Sequence, residues 1–134
     1  MSGPEDLSTD DARREAGTRT RREVLGDAWV DRAAARTTPF TRDFQDFITR
    51  TAWGDVWQRP GLARRERSIA TLSICIALRH WDEFALHVQA AVHNGLSEAE
   101  IAEVVQHAAV YAGVPAANHA FTVAARVLEE LRDG

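Results

Sequence analysis

Apolar residues recur every three or four positions along most of the chain, and this spacing is typical of amphipathic helices. The first such stretch begins after Thr18 and is expected to bend at Gly26; its apolar positions are Val24, Leu25, Ala28, Trp29 and Ala33. The segment from Leu62 to Leu78 differs, because after Arg67 it has scarcely a polar face. A helix that is apolar all round is expected to be buried.

Start and stop signals divide the pattern into separate helices. Asn94–Gly95 suits a left-handed C-terminal cap, and Ser97 with Glu100 forms a capping box that opens the next helix. Further signals are a start at Thr41, a stop at Arg59–Pro60 and Pro115 in the first turn of the last helix. With no alternating strand pattern, the sequence predicts an all-α bundle of about six helices arranged as helical hairpins.

The two ends of this pattern predict a simple domain organisation. Residues 1–17 contain one Leu and no aromatic residue, so they bury too little surface to offset the entropy of ordering. We therefore expect a flexible N-terminal tail over 1–17. Residues 18–134 show no internal repeat and no linker, which predicts one domain.

Composition narrows the class of protein. The 134 residues are 45% hydrophobic and carry sixteen basic residues, all Arg, against twenty acids, so a net charge of −4 disfavours nucleic-acid binding. No apolar run approaches the roughly 20 residues of a membrane helix, and the polar N-terminus does not resemble a signal peptide, so we expect a cytoplasmic protein with no membrane partner. Cys75 stands alone, which excludes a two-cysteine redox site within the chain and favours a core residue.

One polar stretch between two apolar helices offers acid–base chemistry. If residues 80–87 are helical, His80, Glu83 and His87 lie on one stripe. A carboxylate one turn before an imidazole can hold its tautomer and raise its basicity, as in a general acid or base. Two alternatives remain: Glu83 and His87 form an ordinary surface pair, or the two imidazoles and the carboxylate bind a metal. No other cluster supplies the supporting shell of a metal site, which disfavours the second.

Other side chains could bind a substrate. His107 and Tyr111 lie one turn apart on one helix face and could donate hydrogen bonds into a pocket, or they are a core histidine beside a half-buried tyrosine. Arginines crowd the predicted helix ends, and one turned inward would bind a carboxylate bidentately. Arg67 is the first candidate, because it precedes the buried run, and Arg22 and Arg59 follow.

Several short stretches, taken in this order, resemble the carboxymuconolactone decarboxylase family from about Thr20 to Ala125. They are Arg22–Gly26, Trp53–Trp57, Arg59–Leu62, Arg67–Ser68, Glu83–Phe84, His87–Val88, Asn94–Gly95 and His107–Ala117. The family shares its fold with the alkyl hydroperoxide reductase D type, whose two cysteines would fall at His80 and Glu83. Neither is Cys here, so the residues exclude that activity. Many relatives carry His where this chain has Trp29, a difference that bears on substrate choice.

The resemblance implies cofactor-independent decarboxylation of 4-carboxymuconolactone, a lactone with two carboxylates, to 3-oxoadipate enol-lactone in protocatechuate catabolism. Glu83 and His87 would then be catalytic, with His87 the acid. Arg67, His107, Tyr111, Arg22 and Arg59 would bind substrate, and no metal or other cofactor would be needed. It also implies a homo-oligomer, expected to be a hexamer. The alternatives are an enzyme acting on another lactone or keto acid, and a non-catalytic small-ligand-binding protein of the same fold.

Overall fold

A computed structural model describes residues 6–134, and the regular structure within that range is helical throughout. The helices are α1 (Asp10–Leu25), α2 (Asp27–Ala35), α3 (Arg42–Ile48), a π-helix (Thr49–Trp57), α4 (Arg64–Leu78), α5 (Trp81–His93), α6 (Glu98–Ala112) and α7 (Val114–Asp133). The all-α class is confirmed. Seven α-helices and a π-helix take the place of the six helices predicted.

The chain divides into two compact units, Met1–Leu62 and Ala63–Gly134. The first unit holds α1, α2, α3 and the π-helix, and the second holds α4 to α7. The hydrophobic pattern did not indicate this division. The single domain expected over residues 18–134 stays a prediction.

Helix α1 corrects the predicted N-terminal tail. It begins at Asp10, where the Thr9 hydroxyl accepts a hydrogen bond from the backbone N–H of Ala12 at 3.0 Å. Residues 10–17 are therefore helical, whereas residues 1–5 of the predicted tail lie outside the described residues. Instead of a bend at Gly26, α1 ends at Leu25, and Gly26 adopts a φ of 87° before α2 begins.

Two glycines, Gly17 and Gly54, explain how the polar helix α1 packs against the π-helix. A Cβ added to Gly17 of α1 would lie 2.0 Å from the carbonyl oxygen of Thr49, and one added to Gly54 would lie 2.4 Å from that of Arg13. The backbones of α1 and the π-helix therefore touch, which only glycine permits. Trp53 and Trp57 lie beside this contact, buried and stacked with ring centroids 5.3 Å apart.

Backbone caps define the turns of the second unit. Gly95 has a φ of 99°, and the N–H groups of Gly95 and Leu96 donate to Val92 and Ala91, closing α5 as the sequence predicted. The Ser97–Glu100 capping box opens α6, and Pro115 lies in the first turn of α7. Both predictions are confirmed.

The core of the second unit is aliphatic, with one large aromatic side chain. Its largest fully buried apolar side chains are Leu72, Ile76, Phe84, Val88, Ile101 and Val105. The prediction that α4 is buried all round is wrong for this chain, because Ile74 is 57% and Leu78 60% exposed. Among the described residues, every helix falls short of the length and apolarity that a membrane span requires.

Candidate active site

His87 is a buried imidazole on the face of α5 that packs into the second unit. Its neighbours on that face are Phe84, Val88 and Ala91, all buried, and His87 itself is only 6% exposed. Burial lowers the pKa of His87 to about 4, because the charged imidazolium loses its hydration. The side chain is therefore neutral at pH 7, with one nitrogen that donates and one that accepts.

Glu83 lies one turn before His87 on the same helix face, as the spacing predicted. Its Oε2 atom is 4.0 Å from Nε2 of His87, and the Glu83 side chain is 63% exposed. That separation is too long for a hydrogen bond, and the carboxylate would attract the imidazole as an opposite charge only when the ring is protonated. The carboxylate thus faces the imidazole from the solvent side without holding its tautomer through a direct hydrogen bond.

His80 does not join this pair on a helical stripe. It is the residue before α5, with φ −86° and ψ 79°, and its side chain is exposed. Within residues 6–134, no three His, Cys, Asp or Glu side chains gather as metal ligands would.

Cys75 is a core residue, as predicted. It is buried on α4, and burial, with a smaller contribution from the Glu83 carboxylate, raises the pKa of its thiol. A thiol with a raised pKa is a weak nucleophile at neutral pH.

His107 and Tyr111 lie together near the end of α6, as the spacing predicted. Their ring centroids are 5.4 Å apart. Both are exposed in this chain, Tyr111 by 81%, so the alternative of a core histidine beside a half-buried tyrosine is wrong. Val110 and Val114 beside them are exposed too.

The three candidate arginines lie in different settings. Arg67 occupies the first turn of α4 in the second unit, half-buried, next to the fully buried Ser68. Arg22 of the first unit donates to Asp27 at 3.2 Å and to Asp31 at 2.8 Å, so binding a substrate would require it to leave both acids. Arg59, also of the first unit, is exposed in the turn after the π-helix.

Sequence analysis missed Arg21 as a buried cation of the first unit. Its guanidinium carbon lies 5.4 Å from the centroid of the Trp29 ring, and Nη2 donates to Oε1 of Gln45 at 3.2 Å. A signal was present, because Arg21 stands three and four residues before the apolar Val24 and Leu25, on the buried face of α1.

Known proteins that are similar to this chain include several decarboxylases. The model of the carboxymuconolactone decarboxylase family matches residues 42–126. The chain is 45% identical over 117 residues to nitrosuccinic acid decarboxylase of Metarhizium robertsii, covering 87% of this chain and 82% of that protein. It is 42% identical over 122 residues to 4-carboxymuconolactone decarboxylase of Acinetobacter baylyi, covering 91% of each. A Pseudomonas putida 4-carboxymuconolactone decarboxylase is 51% identical over 43 residues, 32% of this chain and 90% of that sequence.

Proposed function

Because the chain belongs to the carboxymuconolactone decarboxylase family, we propose that this enzyme removes carbon dioxide from a small acid with two carboxylates. The first candidate substrate is 4-carboxymuconolactone, giving 3-oxoadipate enol-lactone in protocatechuate catabolism. The observation that carries the proposal is the buried, neutral His87, with Glu83 one turn away, inside the region that the family matches.

The substrate's own structure supplies the electron sink. The departing carboxylate of 4-carboxymuconolactone lies on a saturated ring carbon attached to the double bond, in the position vinylogous to the lactone carbonyl. When the carbon–carboxylate bond breaks, its electron pair flows to the carbonyl oxygen and forms a dienolate. The protein then has to orient the dianion, stabilise the developing oxyanion and return one proton to carbon.

The pKa of His87 constrains how it could supply that proton. A neutral imidazole is a poor acid, so the proton must be taken up when substrate binds. A dianion next to the buried ring favours the imidazolium and raises the pKa of His87 from about 4 in the unliganded protein. In this proposal the substrate thereby charges the acid that later protonates the dienolate, and Glu83 assists through its own negative charge.

In this proposal, arginine side chains position the carboxylates of the substrate. Arg67, half-buried at the start of α4, is proposed to bind the retained carboxylate bidentately. His107 and Tyr111 are proposed to face the oxyanion. Arg22 and Arg59 are weaker candidates, since Arg22 is engaged by Asp27 and Asp31 and Arg59 is exposed.

A second candidate substrate is nitrosuccinic acid, and the 45% identical fungal relative favours it. Here the departing carboxylate lies on the carbon that bears the nitro group, so the electron pair flows into that group as a nitronate. The demands on the protein are the same: two carboxylates, an internal electron sink and one proton returned to carbon. Trp29, where the resemblance led us to expect His, is a further reason to test both substrates.

A side-by-side assay tests the proposal. Purified protein is given 4-carboxymuconolactone or nitrosuccinate, and carbon dioxide release is followed together with product formation. We expect one substrate to be turned over with a kcat/KM at least tenfold above the other. No release of carbon dioxide from either by folded protein would refute both assignments.

The pH dependence of the same assay tests the proposed proton uptake. If free His87 has a pKa of about 4 and must be protonated in the complex, kcat/KM falls as pH rises from 6 to 8. The expected decrease is about tenfold per pH unit, since the substrate stays a dianion over that range. A flat profile would remove His87 as the acid.

We also propose that the enzyme acts in the cytoplasm as a homo-oligomer, with a hexamer as the first expectation. Support for assembly comes from apolar side chains that this chain leaves exposed, namely Ile74, Leu78, Val110, Tyr111 and Val114. Size-exclusion chromatography with light scattering tests the assembly, and a monomer would contradict it.

A further inference from the structure

We propose that Asn94 and Ser68 are positioning residues, which fix where Arg67 lies relative to His87. Nδ2 of Asn94 donates a hydrogen bond to Oγ of Ser68 at 2.9 Å, and this bond joins the C-terminal end of α5 to the beginning of α4. The inference rests on the proposed function, because it concerns the carboxylate site that Arg67 is proposed to provide there.

The bond lies at the open end of a helical hairpin. Helices α4 and α5 are connected by two residues, Arg79 and His80, so the connection fixes the spacing of the helices only at its own end. Ser68 lies ten residues before Leu78, which places it about 15 Å from the connection, given the rise of an α-helix. A hydrogen bond at that distance therefore controls how far apart the two helices are at the level of Arg67.

The Ser68 hydroxyl is bonded to another helix and is shielded from water. The hydroxyls of Thr71 and Ser73, also on α4, each donate to the backbone carbonyl four residues back in their own helix, a common arrangement. Ser68 instead accepts from Asn94 of α5, and its side chain is fully buried. Because water does not reach the Ser68 hydroxyl, water cannot replace the Asn94 amide if that amide is removed.

The bond also lies close to both proposed functional groups. Asn94 follows His87 by seven residues, or two helical turns, and so lies on the same face of α5. Ser68 directly follows Arg67 on α4. A movement of α4 along α5 or away from it would carry the Arg67 backbone away from its place relative to the imidazole, and the Asn94–Ser68 bond opposes that movement.

A second link at the same end of the hairpin is exposed to solvent. Nη1 of Arg65 donates to the carbonyl oxygen of Gly95 at 2.8 Å and to Oε1 of Glu100 at 3.2 Å. The side chains of Arg65 and Glu100 are 40% and 44% exposed, so water competes for both of these groups. Of the two links, the buried bond between Asn94 and Ser68 is therefore the one that we expect to hold α4 in place.

The retained carboxylate gives this positioning role a distinct kinetic signature. That carboxylate has the same charge before and after carbon dioxide leaves, so Arg67 binds the substrate and the transition state about equally. A displaced Arg67 therefore raises KM and leaves kcat nearly unchanged. A purely structural role for the bond would lower the stability and the amount of active enzyme without changing KM.

Ser68→Ala and Asn94→Ala each remove the bond, and Ser73→Ala is the matched control, because the Ser73 hydroxyl bonds within α4. KM and kcat are measured with whichever of 4-carboxymuconolactone and nitrosuccinate the parent enzyme turns over, and circular dichroism checks the fold. We expect KM to rise about fivefold in Ser68→Ala and in Asn94→Ala, the effect of one lost hydrogen bond, and to keep its parental value in Ser73→Ala. A parental KM in either of the first two variants would overturn the inference.

A combination with Arg67→Gln tests whether the bond acts through Arg67. Arg67→Gln alone should raise KM, and Asn94→Ala added to it should raise KM no further. If Asn94→Ala still raised KM by the full amount in the Arg67→Gln enzyme, the inference would be overturned and the proposed function would be unaffected. A parental KM in Arg67→Gln itself would refute the carboxylate site proposed for Arg67, and this inference with it.

Discussion

The two units of the chain are built on different physical principles. The first is joined where the backbones of α1 and the π-helix touch at Gly17 and Gly54, and it buries the cation Arg21. The second is a packed aliphatic core that buries the titratable His87. Close packing of two helix backbones holds the first unit together, whereas the removal of apolar surface from water stabilises the second.

Burial has opposite consequences for the two buried bases. Arg21 keeps its charge, because guanidinium is too basic to deprotonate and finds an aromatic face and an amide oxygen. His87 loses its charge, since burial lowers its pKa to about 4. The first unit therefore holds a permanent positive charge, and the second holds a group whose proton can come and go.

The largest expected effect comes from removing the proton carrier of the second unit. His87→Gln should lower kcat by about 10² to 10⁴, because a positioned general acid contributes that much to a proton transfer. Gln keeps a polar side chain of similar size. The assay is carbon dioxide release from whichever substrate the parent enzyme accepts, with the fold checked by circular dichroism.

His93→Gln is the matched control for that variant. His93 lies on the same helix, at its exposed C-terminal end, and should have close to parental activity when replaced. A His87→Gln enzyme as active as His93→Gln would exclude His87 from the mechanism.

A second variant tests the backbone contact of the first unit. Gly17→Ala would place a Cβ 2.0 Å from the Thr49 carbonyl oxygen, so α1 and the π-helix would have to separate. We expect a loss of about 3 kcal/mol in the free energy of unfolding, near the upper end for overpacking. Urea unfolding measures it.

Gly61→Ala is its control, because a Cβ there meets nothing within 4 Å. If residues 1–17 were a mobile tail, as the composition predicted, the two variants would be equally stable.

Acid should destabilise the second unit through His87. The folded pKa of about 4 lies below the ordinary value of 6.5, so the unfolded chain binds more protons between these values. Stability is complete above pH 6.5 and falls as the pH decreases towards 4. Between pH 7 and pH 4.5 the loss should be about 2 kcal/mol, measured by urea unfolding. His87→Gln should lose that much less over the same range, and identical pH dependence in both proteins would contradict the burial argument.

Local signals predicted the second unit well and the first poorly. The Asn94–Gly95 cap, the Ser97–Glu100 box and the position of Pro115 depend on backbone bonds within a few residues, which sequence specifies directly. The contact at Gly17 joins residues more than thirty positions apart and leaves no periodic signal. The π-helix escaped prediction for a similar reason, since its residues have the same polarity pattern as an α-helix.

For the candidate site too, the sequence predicted some features and could not predict others. Spacing correctly brought Glu83 and His87, and His107 and Tyr111, onto common helix faces. It could not give the burial of His87 or the exposure of Tyr111, because both depend on which neighbouring helices cover that face. The roles of these residues stay predictions.

The smallest expected effect concerns how strongly Glu83 acts on His87. Its carboxylate is 4.0 Å from Nε2 and 63% exposed, so solvent screens most of the attraction. Pairs of this kind contribute about 1 kcal/mol at most, so Glu83→Gln should lower kcat about fivefold or less. Loss of the negative charge also disfavours the imidazolium, so the pH at which kcat begins to fall should move downward. A loss as large as that of His87→Gln would instead make Glu83 a proton carrier in its own right. The comparison of the two variants therefore separates a carboxylate that assists the imidazole from one that replaces it as the acid.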